Sequence, residues 1–444
     1  MKLTSQFLIT LLTVYLWCSA THAAEGWTRF RGPGGQGVSS GADVPVHFSM
    51  EENVIWKTPI EGQGWSSPVV DSGMIWLTTA IVQEATAEQK ALRLADDPLK
   101  DMKDVAAAIE LKAVAIDFAS GRIVHEIPLS HIQDPDPINP LNTFASPTPV
   151  IAEGRVICHF GCYGTWCLDA KTGTSIWQRV FKVDHSVGPG SSPVVVDDKV
   201  ILVCDGIDEQ FVAAIALSTG QELWRTPRPP KDAANVEFHK AYCTPITVTT
   251  NGNTQIVVPS AQWICAYDPN NGHELWRIDH GDGFSNSPSA ITTANGLVVF
   301  STGYMRPEMV AVRIDGSGDV TKTHVAWRSS RGAPTKPTPL AVGEAIYMIS
   351  DNGILSKLRT EDGSIVWQER ISGNFSASPI NVEGKLFLCS HEGVVTVVGV
   401  ANDYLELAKN QLESRIMATP AVEGNSLIVR TEFHLLRIGL GETK

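Results

Sequence analysis

A serine or threonine followed by proline recurs along the chain, each time ahead of a short apolar stretch. The eight instances are Ser67-Pro68, Thr148-Pro149, Ser192-Pro193, Thr244-Pro245, Ser287-Pro288, Thr338-Pro339, Ser378-Pro379 and Thr419-Pro420. Successive prolines are 81, 44, 52, 43, 51, 40 and 41 residues apart. A period of this length is typical of architectures in which each unit stacks on its neighbours. The sequence therefore predicts eight copies of one unit, the first interval containing a large insertion.

Each unit reads as four short β-strands. In the third unit, apolar residues dominate 193–196, 200–203 and 211–217, and the unit closes on 222–225. Turn residues such as Asp197-Asp198 and Thr219-Gly220 separate these stretches. A proline at the head of the first strand suits a position where the missing N–H costs least. The pattern indicates an all-β protein.

The second half of the unit carries the motif Asp-x-x-x-Gly-x-x-x-Trp, complete from Asp169 to Trp177 and from Asp268 to Trp276. The aspartate can accept hydrogen bonds from turn amides, and the glycine permits a positive φ. Six units place a tryptophan at this position, and these are Trp56, Trp177, Trp224, Trp276, Trp327 and Trp367. We interpret the six rings as structural wedges between neighbouring sheets.

The two ends of the chain complement each other. The segment 53–57 resembles a fourth strand without its first three, and the last unit, ending at Leu440, lacks a fourth strand. Pairing them closes a ring and removes exposed sheet edges. The prediction is an eight-bladed β-propeller of four-stranded antiparallel blades, forming a single domain over 53–440. The predicted blades are 65–130, 145–183, 190–226, 241–279, 285–329, 335–371, 376–411, and 417–440 with 53–60.

Two segments depart from the repeat. An insertion at about 82–110 contains helix formers from Glu84 to Arg93, and a second short helix is expected from Pro98 through Ala106. Residues 25–52 are expected to form an irregular N-terminal arm. The arm contains Gly-x-Gly-x-x-Gly at 32–37, but no strand precedes it and no helix follows, so a nucleotide-binding reading fails.

Residues 1–24 read as a signal peptide, with Lys2, an apolar run over 7–17 and small residues before Ala24. The expected location is the periplasm or cell envelope. Trp17 stands where a lipoprotein signal has a small residue before Cys18, which argues against a lipid anchor. No other run is long enough for a transmembrane segment. Export permits disulfides, and a bridge between Cys158 and Cys167, which flank a tight turn, remains open.

Composition narrows the function. The formal net charge is −13, which argues against a nucleic-acid binder because such a protein needs a basic footprint. The chain carries no Gly-x-Ser-x-Gly, His-Glu-x-x-His or Walker motif. An acidic turn with Asp205, Asp208 and Glu209 is a weak calcium candidate, and a solvated turn is the alternative. No catalytic residue is assigned.

Residues just before each Ser/Thr-Pro lie in loops that lead into the innermost strands, so we expect them to ring one mouth of the channel. The candidate ligand-binding or partner-binding residues are Trp65, His239, Lys240, Tyr242, Asn286, Lys336 and Arg415. Phe144, Phe284 and Phe375 hold equivalent positions. An aromatic and basic rim suits an anionic aromatic ligand or a peptide segment. Ordinary loop residues are the alternative.

The unit, Ser-Pro-Val-Val followed by Asp-x-x-x-Gly-x-x-x-Trp, resembles the pyrroloquinoline-quinone (PQQ)-like β-propeller repeat of quinoprotein dehydrogenases and BamB. The Trp-x-x-Phe-Arg-Gly-Pro arm from Trp27 to Pro33 and the stretch 142–149 are similar to exported PQQ-like proteins of planctomycete-type bacteria. The dehydrogenase branch implies a vicinal Cys-Cys pair, Ca²⁺ held by carboxylate and amide, and an aspartate base. This chain has no Cys-Cys dipeptide and no Cys-x-x-Cys-His.

The leading hypothesis is an exported, non-catalytic propeller scaffold of the BamB kind, without a resident cofactor, that presents loops and a channel mouth to envelope proteins. The alternative is an oxidoreductase that uses PQQ with Ca²⁺ or binds another small molecule. One experiment distinguishes the two hypotheses, because only the PQQ-dependent oxidoreductase would bind PQQ saturably and reduce a dye.

Overall fold

The computed structural model describes residues 26–228, 231, 234–250 and 252–440, so the expected signal peptide lies outside the described residues. The described chain is an eight-bladed β-propeller with four-stranded antiparallel blades, which confirms the predicted fold class. The first strands of neighbouring blades contact one another and therefore line the axis. We label the strands of each blade A to D from the axis outward.

The strands follow the repeat closely. Blade 1 consists of Val69–Asp71, Met74–Glu84, Ala106–Asp117 and Ile123–Gln133, blade 2 of Val150–Ala152, Arg155–His159, Thr165–Asp169 and Ser175–Arg179, blade 3 of Val194–Val196, Lys199–Asp205, Gln210–Ala216 and Glu222–Pro227, and blade 4 of Ile246–Thr250, Asn253–Pro259, Trp263–Tyr267 and Glu274–Asp279. Blade 5 consists of Ile291–Thr292, Leu297–Ser301, Met309–Arg313 and Val325–Ser329, blade 6 of Leu340–Val342, Ala345–Ile349, Ile354–Arg359 and Ile365–Arg370, blade 7 of Ile380–Val382, Lys385–Cys389, Val394–Gly399 and Glu406–Gln411, and blade 8 of Ala421–Glu423, Ser426–Arg430, His434–Gly439 and Val54–Pro59.

A few elements lie outside this pattern. Val38–Ser39 adds in parallel to strand A of blade 7, and Gly318–Asp319 adds in parallel to strand D of blade 4. The α-helix is Ala87–Arg93, and the 3-10 turns are Pro33–Gly35, Lys100–Met102, Gly161–Tyr163 and Val236–His239. No helix among the described residues has the length and apolarity needed to cross a membrane.

The ring closes between the chain ends. Val54–Pro59 runs antiparallel to His434–Gly439, with Thr58 opposite Leu435. Because strands alternate in direction, the D–A and B–C connections emerge on one end of the ring, which we call the loop face. The A–B and C–D turns emerge on the other end, the turn face.

The blade 1 insertion is shorter than predicted. Strands B and C extend to Glu84 and from Ala106, so the connection covers only 85–105. Thr86 caps the helix, since its Oγ1 accepts a hydrogen bond from the Gln89 amide and the Gln89 side chain accepts one from the Thr86 amide. The prediction of a second short helix from Pro98 through Ala106 is wrong. The structure has only a 3-10 turn at Lys100–Met102, and strand C begins at Ala106.

The hydroxyl of the Ser/Thr-Pro motif links the inner strands of successive blades. The Ser67 amide donates to Thr148 Oγ1 at 2.9 Å, the Thr148 amide to Ser192 Oγ at 2.9 Å, and the Ser192 amide to Thr244 Oγ1 at 3.0 Å. The same relay continues from Ser289 to Thr338, Ser378 and Thr419. The hydroxyl thus satisfies a buried amide of the preceding blade, which explains why the motif needs serine or threonine.

The tryptophans of strand D contact the C–D turn of the next blade. Trp177 Nε1 donates to the Leu217 carbonyl at 2.9 Å, and its ring lies against Gly220. Corresponding contacts join Trp56 to Phe118 and Gly121, Trp224 to Pro269 and Gly272, and Trp327 to Thr360 and Gly363. Trp276 instead donates to Gln255 of its own blade, and Trp367 packs between Tyr347 and Tyr404.

The cysteines do not form the bridge that the sequence left open. All seven described cysteines, from Cys158 to Cys389, are free. Cys167 pairs opposite Ile157 and Cys158 opposite Trp166. Neighbouring register positions point to opposite faces of a sheet, so the two thiols face different sides.

Three buried histidines make the fold sensitive to acid. Burial lowers the pKa of His159 to about 3, and the pKa values of His185 and His280 to about 4. Between these folded-state pKa values and about 6.5, the ordinary pKa of histidine, the unfolded chain binds more protons than the folded chain. The free energy of unfolding therefore falls as the pH falls through this range. Each histidine is expected to cost about 2 kcal/mol between pH 7 and pH 5.

The variant His280→Asn tests this expectation, because asparagine can still donate to the Ser260 carbonyl that His280 Nε2 contacts at 2.8 Å. Urea unfolding at pH 7 and pH 5 measures how much the free energy of unfolding falls between the two pH values. This decrease should be smaller in the variant than in the parent by about 2 kcal/mol. An unchanged difference between the two pH values would contradict the assignment.

Candidate functional site

The predicted rim residues lie on the loop face but differ in exposure. Trp65 is half-buried, and its Nε1 donates to the Leu141 carbonyl at 3.1 Å. Lys336 is half-buried, with Nζ 3.3 Å from Asp351 Oδ1. Arg415 is exposed. The three side chains lie on different loops. Burial lowers the pKa of His391 and the charges of Lys336 and Arg415 add to that shift, so these two lie near one histidine.

Lys240 does not present its charge to solvent. Its side chain is buried beside Glu237 and Ser186, with Nζ 3.1 Å from Ser186 Oγ and an ion pair to the Glu237 carboxylate. Burial lowers the pKa of Lys240, while Glu237 opposes that shift. The Tyr242 hydroxyl donates to the His185 carbonyl at 2.8 Å. Lys240 and Tyr242 therefore hold two adjacent D–A loops together, which corrects the expectation of a basic rim here.

Asn286 and His239 also turn inward. Asn286 is fully buried, its Nδ2 donates to the Ser301 carbonyl at 3.3 Å, and its backbone carbonyl accepts from the Tyr242 amide. His239 is half-buried, and its Nε2 is buried without a hydrogen-bond partner among the described residues. Phe144 and Phe375 are buried in the core. These side chains position loops rather than present a binding surface.

The acidic turn does not form a calcium site. Asp205 is buried and its Oδ2 contacts Arg228 at 2.8 Å and Ser260 Oγ at 2.9 Å. Asp208 instead accepts hydrogen bonds from the Asp184 and Glu209 amides. No group of three or more His, Cys, Asp or Glu suited to a metal ion occurs within the described ranges. The candidate with Asp205, Asp208 and Glu209 is wrong because Asp205 pairs with an arginine in the interior.

The loop face carries an apolar surface that sequence reasoning missed. Phe238 and Phe284 pack with ring centroids 4.5 Å apart, and Phe284 meets Tyr304 edge-on at 6.0 Å. Val236 is 49 % exposed, Tyr304 47 % and Met305 70 %. We call these five residues the apolar loop patch. Exposed apolar side chains grouped in this way mark protein-interaction sites.

Backbone strain accompanies the patch. Met305 has φ +74°, a left-handed conformation that a non-glycine residue adopts at a cost. Strain of this kind concentrates where a structure holds a side chain for function. The signal in the sequence is Gly303-Tyr304-Met305, which places two large apolar side chains in a B–C connection where turn residues are usual.

The loops around the patch carry charged residues of both signs. Four bases of these loops are paired with acids, in the pairs Arg228–Asp205, Lys231–Asp279, Lys240–Glu237 and Arg328–Glu308. Asp208, Glu209 and Asp282 are exposed and form no ion pair within the described residues. Arg306 and Arg331 are exposed bases of the neighbouring loops and form no ion pair within the described residues. The patch is therefore an apolar surface bordered by charges of both signs.

The axis of the ring is filled by the N-terminal arm. Gly26 lies beside Val70 and Asp71 near the turn face, and Arg31 reaches the carbonyls of Thr338 and Pro379, at the loop-face ends of the A strands. A PQQ molecule on the axis would need the volume that the arm occupies. The described residues therefore do not fit an axial PQQ.

Comparison with known proteins agrees with the geometry. The family model described as outer membrane protein assembly factor BamB matches residues 104–241 and 208–441. BamB of Shewanella oneidensis is 20 % identical over 302 residues, which cover 64 % of this chain and 71 % of that protein. The crystal structure of BamB from Moraxella catarrhalis has a TM-score of 0.50 at 16 % identity, covering 78 % of this chain and 98 % of that one.

A quinohemoprotein alcohol dehydrogenase from Pseudomonas putida has a TM-score of 0.59 at 12 % identity, covering 95 % of this chain and 81 % of that one. At this identity the likeness shows a shared propeller fold alone.

Proposed function

We propose, on the premise that the chain belongs to the BamB family of outer membrane protein assembly factors, that it is an exported, non-catalytic scaffold whose loop face binds a protein partner in the cell envelope. Export is supported by the signal-like residues 1–24. The curated relatives are named as assembly factors of outer membrane proteins, and we extend that role to this chain as part of the proposal.

The apolar loop patch is the observation that carries the proposal. Phe238 packs on Phe284 and Phe284 meets Tyr304, while Val236, Tyr304 and Met305 are exposed. Burying these exposed side chains against a partner removes apolar surface from water. Aromatic and methionine side chains are enriched in the centres of protein interfaces. The charged border favours a partner segment that is apolar at its centre and carries complementary charges at its flanks.

The double variant Tyr304→Ser/Met305→Asp tests this role. Both side chains are exposed on a loop, so the ring should remain folded while its affinity for a protein captured from an envelope extract falls at least tenfold, equivalent to about 1.4 kcal/mol. The retained protein is quantified on immobilised parent and variant chains. Binding by the parent should also weaken as salt is raised, because the border is charged.

Leu405→Asp is the matched control. Leu405 is 48 % exposed in a C–D turn, on the turn face, so it introduces the same charge at a similar exposure on the opposite end of the ring. Retention should be unchanged in this variant. Equal loss in both variants, or retention by the double variant at the level of the parent, would overturn the proposal.

A further inference from the structure

The N-terminal arm occupies the channel as a ligand would. It enters at Gly26 from the turn face, extends to Arg31, and returns to the turn face, where the Gly41 amide contacts Glu383 and the Asp43 amide donates to Asn425 Oδ1 at 2.9 Å. Glu383 and Asn425 lie in A–B turns. The arm is therefore a loop inserted from one end of the ring.

Arg31 is held by carbonyl oxygens alone. It is 0 % exposed, and its five side-chain hydrogen bonds all end on backbone carbonyls. Three carbonyls belong to the ring, at Thr338, Pro339 and Pro379, at distances of 3.0, 2.8 and 3.3 Å. The converging carbonyls from blades 6 and 7 match the planar, multiple donors of a guanidinium. The ammonium group of a lysine has fewer donors in a different geometry and cannot contact all of these carbonyls.

The ring recognises the rest of the arm through its backbone. The Val70 amide donates to the Trp27 carbonyl, the Ile151 amide to the Thr28 carbonyl, and the Asn381 amide to the Gly37 carbonyl, each at 2.8 Å. These amides belong to strands A, whose free edges face the channel. Val38–Ser39 then adds as a parallel strand to blade 7. This is the strand-addition mode by which sheets bind extended peptides.

The arm also makes contacts within itself. Arg31 and Gly32 have φ values of +62° and +64°, and a Cβ on Gly32 would lie 2.5 Å from the Trp27 ring. The segment therefore folds on itself around Trp27, and glycine is required where the ring covers the backbone.

We propose that the axis of the propeller is a peptide-binding site, that residues 26–40 are its resident ligand, and that a glycine-rich peptide with an arginine at the position of Arg31 binds there in trans when the resident segment is displaced. The ligand class follows from the three ring carbonyls around the guanidinium and from the free edges of strands A. The site is separate from the apolar loop patch and does not depend on it.

A cleavable tether tests the proposal in the full chain. A protease site inserted between Ser40 and Gly41, both exposed, allows the folded protein to be nicked. A synthetic peptide of residues 26–40 with a fluorophore at Gly26 is then added, and exchange is followed by anisotropy while circular dichroism reports the ring. We expect saturable uptake by the nicked protein, and no uptake by the uncut protein.

Peptide variants give the specificity. The Arg31→Lys peptide should bind at least tenfold more weakly and the Arg31→Gln peptide more weakly still, whereas a Ser40→Ala peptide, altered at an exposed position, should bind as the parent. Equal binding of the Arg31→Gln and parent peptides would overturn the proposal. So would uptake that occurs only when the circular dichroism of the ring is lost, since the arm would then be an inseparable part of the core.

Discussion

Replacing Asp205 by asparagine is expected to lower the free energy of unfolding by about 3–5 kcal/mol. Asp205 and Arg228 form an ion pair at 2.8 Å with their side chains 0 % and 4 % exposed. Burial raises the pKa of the Asp205 carboxyl, and the Arg228 guanidinium and the Ser260 hydroxyl oppose that shift. The variant leaves the guanidinium buried without a counter-charge, which is the costly change at such sites.

The hydrogen-bonding groups of the pair are incompletely satisfied. Asp205 Oδ1 and the Nε and Nη1 atoms of Arg228 are already buried without a hydrogen-bond partner among the described residues. Losing the carboxylate charge therefore adds an uncompensated buried charge to groups that already lack partners. Urea unfolding followed by tryptophan fluorescence measures the loss.

Asp208→Asn is the matched control, because it makes the same change in the same turn at an exposed side chain. Its Oδ1 accepts amide hydrogen bonds that asparagine can keep, so a change below about 0.5 kcal/mol is expected. The double variant Asp205→Leu/Arg228→Met, which removes both charges, should recover most of the loss. Equal destabilisation by Asp205→Asn and Asp208→Asn would refute the assignment.

The fold could be predicted because its determinants repeat. Eight Ser/Thr-Pro motifs at similar intervals and an unpaired fourth strand near Trp56 are enough to count the blades and to place the closure. The sequence did not reveal that the hydroxyl of the Ser/Thr-Pro motif accepts a hydrogen bond from the preceding blade. Ser67 and Thr148 are 81 residues apart and meet only once the blades stack. Periodicity indicates which residues are equivalent, not which atoms they contact.

The site was less accessible to prediction. Position before Ser/Thr-Pro places a residue in a D–A connection, but the direction of each side chain depends on neighbours from other loops. Lys240 turns toward Glu237 and Ser186, and Asn286 toward Ser301. The patch residues Tyr304 and Met305 lie in a B–C connection, whereas the Ser/Thr-Pro motif marks the D–A connections.

The arm resisted prediction for a related reason. It has no periodicity, and Arg31 binds the Thr338 carbonyl 307 residues further along the chain. A glycine-rich segment reads as an irregular tail when considered alone. Its conformation is decided by the free edges of strands A, which exist only in the closed ring.

Replacing Trp177 by alanine is expected to cost about 3–5 kcal/mol. The side chain is 9 % exposed, its ring covers Gly220 of the next blade, and its Nε1 donates to the Leu217 carbonyl at 2.9 Å. Alanine removes the packing and leaves that carbonyl without its indole donor. Trp177→Phe should lose less, since it keeps most of the ring and only the hydrogen bond is lost.

Two glycines distinguish the effect of packing against the Trp177 indole from the effect of backbone strain in a turn. Gly220 and Gly154 have φ values of +69° and +70°, so alanine is strained equally at both. A Cβ at Gly220 would lie 2.7 Å from the Trp177 ring, whereas at Gly154 it meets nothing within 4 Å. Gly220→Ala should therefore be more destabilising than Gly154→Ala by about 1–3 kcal/mol.

That difference should shrink in the Trp177→Ala background, because the added methyl group then meets the space the indole has left. The parent, the two single variants and the double variant form a double-mutant cycle. Their free energies of unfolding in urea give the coupling energy between Trp177 and Gly220 of the neighbouring blade. A difference that persists without the indole would mean that Gly220 is required for its turn alone. The tryptophan at this position would then stabilise its own blade rather than the junction with the next, and the repeat would need another explanation for its recurrence.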